Sequence, residues 1–191
     1  EEAKKASSEP VQVSEPVTVV VSQKGYVRCR TGHGHDAKLM SYKQGDGYLW
    51  SAECESTETL IVCGSNGRTY SVPVSQLPSA RGDGLPITSF IELETGSEIV
   101  GYLAGPDNLG VMLYTTEGFG LACSLKNLVA RVRSGKAFMS LGEEAVMCPP
   151  VVLTEGTQYV ACMAQDGRLL VFTLEELRTL AGGGKGVTLM R

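Results

Sequence analysis

Cations gather in a few places along this chain. From Lys126 to Lys136 it reads KNLVARVRSGK, which places Lys126, Arg131, Arg133 and Lys136 together without an acid. From Lys24 to Lys43 it carries Lys24, Arg28, Arg30, Lys38 and Lys43 with both histidines, against the single acid Asp36. Arg81 stands in PSARGDG and Lys185 in GGGKG. Guanidinium and ammonium groups beside glycines, whose backbone amides are unshielded, suit phosphate oxygens: they supply charge and donors without reading bases. The alternative is a set of merely solvated polar loops. Spacing alone does not separate the two, and a net charge of −4 does not favour a nucleic-acid partner.

Other chemistries find little support. His33-Gly34-His35-Asp36 has the residue types of a metal site, but no third or fourth ligand is indicated elsewhere, so an exposed polar loop is the expectation. There is no GxSxG, HExxH or P-loop, and both histidines lie in one loop, so this stretch is not expected to carry catalytic residues. Cys29, Cys54, Cys63, Cys123, Cys148 and Cys162 form no CxxC; most sit in apolar runs such as LIVCGS, as reduced core residues do. Reduced thiols point to the cytoplasm and weaken a reading of Arg81-Gly82-Asp83 as a secreted adhesion ligand. No apolar run is long enough for a membrane helix. The chain opens without Met on the polar EEAKKASSEP, which fits an internal piece of a longer protein.

The elements that must position the cations are visible as a repeat. VTVVVSQKGYVRC, TLIVCGSNGRTYSV, GVMLYTTEGFGLAC and YVACMAQDGRLLVF share one plan: an apolar run, a polar turn with glycine, and a second run. That is a hairpin signal, turning at Gly25, Gly67, Gly118 and Gly167. Counted from the last three, the seventh residue is apolar (Val74, Leu125, Leu174) and the tenth is leucine (Leu77, Leu128, Leu177). The seventeenth is glycine (Gly84, Gly135, Gly184), and a cation lies near each. VSQLP, SLKNLVA and TLEELRTLA predict one helical turn after each hairpin, with capping-box spacing from Thr173 to Glu176. ITSFIEL, AFMSL and GVTLM, then EIVGYLA or AVMCPPVVL, add further strands. The expectation is an all-β, propeller-like array of four-stranded blades of about fifty residues each. Blades are placed at 17–58, 59–108, 109–158 and 159–191 after a tail over 1–16, the first divergent and the last incomplete. Either more chain follows or the array stays open.

The motifs EPVTVVVSQKGYVR, YKQGDG, GRTYSV, LPSARGDG, LVARVRSGKA, MCPPVV and GRLLVF, in that order, resemble the C-terminal domain of the A subunit of bacterial DNA topoisomerase IV over residues 15 to about 186. The resemblance implies a β-pinwheel, in which blades exchange a strand with their neighbours, that binds double-stranded DNA on a basic outer face. It implies no catalytic residue and no cofactor in this domain, the parent enzyme using ATP and Mg²⁺ through other domains. It also implies two protein partners, the B subunit of topoisomerase IV and a second copy of the A subunit. A bacterial cytoplasmic, nucleoid-associated location and no membrane follow in the same way. Carried over, the phosphate-contacting residues would be Arg28, Arg30, Lys43, Arg81, Arg131, Arg133, Lys136 and Lys185. The similar gyrase A domain has a QRRGGKG box of which GGGKG is only a remnant. That departure implies decatenation and relaxation over DNA wrapping. A gyrase-type wrapping domain and a protein-interaction propeller are the alternatives.

Overall fold

The computed structural model describes residues 11–191, so most of the expected tail, residues 1–10, lies outside the described residues. Four hairpins form where the repeat places them: β1 (Pro16–Ser22) with β2 (Tyr26–Thr31), β4 (Thr59–Gly64) with β5 (Arg68–Pro73), β8 (Gly110–Tyr114) with β9 (Phe119–Ser124), and β12 (Tyr159–Met163) with β13 (Leu169–Thr173). Their turn glycines share a positive φ of 78° to 86°. The first three hairpins each gain a strand from downstream in their own repeat: β3 (Tyr48–Glu55) on β1, β7 (Ile99–Leu103) on β4, and β11 (Val151–Leu153) on β8.

The fourth strand of each sheet comes from the next repeat. β6 (Leu85–Pro86) pairs with β2, β10 (Lys136–Ala137) with β5, and β14 (Val187–Thr188) with β9. The sheets therefore run β3-β1-β2-β6, β7-β4-β5-β10 and β11-β8-β9-β14, while β12-β13 has neither flanking strand among the described residues. This is an all-β, strand-exchanging array, as expected.

The core lies between consecutive sheets. Leu60, Ile61, Val62 and Cys63 of β4 are all fully buried. Side chains alternate across a strand: Leu60 and Val62 pack with Val19 and Val21 of the first sheet, and Ile61 and Cys63 with Val111 and Leu113 of the third. A strand covered on both faces reads as a continuous apolar run, which is why TLIVC shows no alternation. Burying each such aliphatic side chain stabilises by about 1.5–3 kcal/mol.

The predicted helical turns are 3₁₀ turns, at Val74–Gln76, Leu125–Leu128 and Leu174–Glu176. They fold the buried Leu77, Leu128 and Leu177 inward. The Glu176 carboxylate accepts from the Thr173 N–H (2.9 Å) and hydroxyl (3.1 Å), as the capping spacing predicts. ITSFIEL, which follows the exchanged pair Leu85–Pro86, is not a strand, and AFMSL contributes only Ala137 to one. Ile87–Ser89 is a 3₁₀ turn. Ile87 donates to Gly25 O (2.8 Å), and Phe138 and Met139 donate to Gly67 O (both 3.0 Å), so each segment bends across the tip of the preceding hairpin.

Candidate nucleic-acid interface

The loops that carry the cations have a fixed route. After its 3₁₀ turn the chain runs parallel to the second strand of the preceding hairpin: Cys29 donates to Pro78 O and Ala80 to Cys29 O (both 2.9 Å). In the last repeat Ala122 donates to Arg178 O and Leu180 to Ala122 O, also at 2.9 Å. The chain then loops out and returns antiparallel as the exchanged strand, with Leu85 opposite Val27, Lys136 opposite Thr69 and Val187 opposite Gly120. Loops 80–84, 130–135 and 181–186 thus lie beside the edges of the three sheets that the exchanged strands form.

One glycine in each loop makes the return possible. A Cβ on Gly84 would lie 2.4 Å from Val27 O, and one on Gly135 2.5 Å from Thr69 O; both residues have positive φ. Gly186 takes this place in the last loop, with a Cβ only 2.1 Å from Gly120 O. The position seventeen after Gly167, Gly184, is therefore not the counterpart of Gly84 and Gly135. The last loop is two residues longer, and Gly184 instead bonds to the third repeat, donating to Phe138 O (2.8 Å) and accepting from Ser140 N–H (3.0 Å).

Arg30 and Arg81 are exposed and line one cleft with Cys29, Thr31, Ser79 and Ala80. Arg131 and Arg133 are exposed on the next loop, where Arg133 also donates to Ser89 O (2.9 Å). Lys136 is half-buried: its ammonium donates to Asn127 O and lies 5.5 Å from the Phe138 ring. Lys185 and Lys43 are exposed, each 4.2 Å from an aromatic ring, Phe119 and Tyr26 respectively. These two rings occupy the same repeat position, one residue past a hairpin-turn glycine. Among the described residues Asp166–Arg168 (2.7 Å) is the one ion pair of a Lys or Arg with a carboxylate, and a His33 ring nitrogen lies 3.8 Å from Glu53. The loop cations are therefore uncompensated by carboxylates.

Arg28 differs from the others. It is 3% exposed. Its guanidinium donates to Gly82 O (3.0 Å) and Ser41 O (2.6 Å) and sits 4.9 Å from the Tyr42 ring centroid. Arg28 is thus corrected from a surface cation to an interior one, because its strand position points under the loop. Arg68 was missed by sequence reasoning. It donates to Ser134 O (3.0 and 3.1 Å) and Gly135 O (3.0 Å), clipping the loop that carries Arg131 and Arg133. The signal was available: Arg68 and Arg168 both follow a turn glycine, a position the repeat marks.

The histidine loop is tied to protein groups. A ring nitrogen of His33 lies 2.9 Å from Cys54 O, one of His35 2.8 Å from Thr31 O, and the Gly34 N–H donates to Glu53 (2.7 Å). Among the described residues no group of three or more His, Cys, Asp or Glu could hold a metal ion.

A family model described as the DNA gyrase C-terminal domain, beta-propeller, matches residues 58–101 and 158–191. The A subunits of DNA topoisomerase 4 from Haemophilus influenzae and from Escherichia coli are each 37% identical to this chain over 183 residues, covering 96% of it and 24% of the relative. The chain thus spans about a quarter of the length of these relatives. The solved structure of the E. coli ParC C-terminal domain superposes with a TM-score of 0.87 at 36% identity, covering 93% of this chain and 72% of that one. Fold and sequence agree that the chain belongs to the family of C-terminal domains of ParC, the topoisomerase IV A subunit.

Proposed function

We propose that this domain binds duplex DNA along its outer edge, without chemistry of its own, on behalf of a type IIA topoisomerase that decatenates and relaxes DNA. In the parent assembly two A subunits would supply cleavage and the B subunits would supply ATP hydrolysis, with Mg²⁺ held in other domains. The observation that carries the reading is the placement of Arg81, Arg131, Arg133 and Lys185 on loops beside the sheet edges, with Arg30 facing Arg81 from β2, all exposed and free of carboxylate partners among the described residues. Such side chains attract phosphates by charge and hold no base-reading geometry. Lys185 is the sole cation between Thr179 and Val187. A loop so sparsely charged favours segment capture over tight wrapping.

The test is fluorescence anisotropy with a labelled duplex across a salt series. Affinity should fall linearly on a log–log plot, and the Arg131→Ala, Arg133→Ala double variant should lower the slope by about 1.8, from the roughly 0.9 per phosphate contact expected for B-DNA. An affinity indifferent to salt or to this substitution would refute the reading.

A further inference from the structure

An unpaired charge at a core position calls for an explanation. On β2, Arg28 stands opposite Val20 of β1, on the face turned away from the second sheet. Pairing with the crossing loops identifies its counterparts. Val27, Thr69 and Gly120 each oppose an exchanged strand, and the residues after them are Arg28, Tyr70 and Leu121. Tyr70 packs toward the first sheet and Leu121 toward the second, each against the preceding blade. The described residues hold no blade before the first. There, the 37–43 segment packs over Arg28, with Tyr42 at its guanidinium and the Tyr42 hydroxyl donating to Ala37 O (2.5 Å).

We propose that Arg28 is a positioning residue for the DNA-binding edge: its buried guanidinium joins Gly82 O to Ser41 O and so fixes the loops that carry Arg81 and Lys43. The inference rests on the DNA-binding reading and deepens it. Arg81 directly precedes the anchored Gly82, and it lines a cleft with Arg30, which lies two residues beyond Arg28 on the same face of β2. Lys43 follows the anchored Ser41 by two residues and rests over Tyr26. Three surface cations on separate segments are thereby referenced to one interior group. A planar guanidinium can serve two carbonyls from segments this far apart and stack on Tyr42 at once; an ammonium cannot reproduce that fork. Preformed spacing of Arg30 and Arg81 means that a phosphate entering the cleft meets both without ordering the loop first.

Two variants of the 191-residue chain test this. Arg28→Leu installs the side chain found at the equivalent position of the third blade and removes both carbonyl bonds; Arg28→Lys keeps the charge but not the fork. Amide hydrogen exchange in residues 41–44 and 80–84 should accelerate roughly tenfold or more in Arg28→Leu, the scale set by losing two charge-assisted hydrogen bonds. Exchange in β4 and β5 should stay unchanged. Duplex affinity should drop for Arg28→Leu in the native background yet not drop further in an Arg81→Ala, Lys43→Ala background, because Arg28 acts through the loops that carry these two cations. Arg28→Lys should fall between. A further loss on adding Arg28→Leu to the Arg81→Ala, Lys43→Ala background, unchanged duplex affinity in Arg28→Leu, or unchanged exchange at 80–84, would overturn the assignment. Should Arg28→Leu fail to fold, the same measurements on Arg28→Lys decide. If the native chain shows no salt-dependent duplex affinity, the functional reading fails. Loop exchange still reports separately whether Arg28 fixes the loops.

Discussion

Gly82 and Gly84 stand two residues apart in one loop and answer to different constraints. Nothing lies within 4 Å of a Cβ built on Gly82, and its φ is not in the left-handed region; Gly84 has a φ of +88° and the carbonyl oxygen of Val27 where a side chain would begin. Gly82→Ala should leave stability within about 0.5 kcal/mol. Gly84→Ala should cost about 1–3 kcal/mol from backbone strain alone, before the steric clash. Differential scanning calorimetry separates them, and equal melting temperatures would refute the crossing argument. The glycine spacing was legible in the sequence, but its cause was not. Sequence reasoning linked the recurring glycine to a basic surface, whereas Gly84, Gly135 and Gly186 are needed where the chain passes a neighbouring strand's backbone. The same limit hid Arg28. Its charge is plain in GYVR, but whether that charge faces water depends on which blade, if any, precedes its own.

At the scale of strands, hairpins and turns were readable because they rest on local rules: short turns with glycine, buried leucines at fixed offsets, and the Thr173–Glu176 cap. The exchanged strands were not readable locally. Each is two residues long, and its partner lies in the preceding repeat, so no period within the segment marks it. Exchange also predicts unequal protection. β4 and β5 are flanked on both sides, whereas β12 and β13 have only each other among the described residues. Amides of residues 159–173 should therefore exchange much faster than those of 59–73; comparable protection factors would contradict the sheet topology. The doubly covered strands also hold thiols. Burial pushes Cys63 and Cys123 up to about 12 from an ordinary 9.0. An acid whose folded pKa is raised keeps its proton in the native state while the unfolded chain ionises. Its contribution is complete below pH 9 and is lost as pH climbs from 9 toward 12. Melting temperature should thus hold level up to about pH 8 and fall above about pH 9, and replacing both thiols by alanine should flatten that fall while lowering the plateau.

Across the whole molecule, charge is segregated: a net −4 coexists with cationic loops along the sheet edges. Net charge alone therefore conceals the cationic edges, which only the distribution of charge along the chain reveals. Apolar surface is segregated too. Tyr159, Met163, Leu169 and Val171 of the fourth hairpin are exposed, beside two strand edges that are unpaired among the described residues. Open apolar edges promote self-pairing, so sedimentation should show this chain associating as concentration rises, and Val171→Lys should shift it toward monomer. A concentration-independent monomer would count against this. Strand exchange carries one more consequence, for synthesis. Because each sheet takes its last strand from the repeat that follows, the first cannot finish until residues 85–86 have left the ribosome, the second until 136–137, and the third until 187–188. Each of the first three hairpins waits with a bare edge until its successor has emerged, and these three sheets are completed in the order in which they are translated.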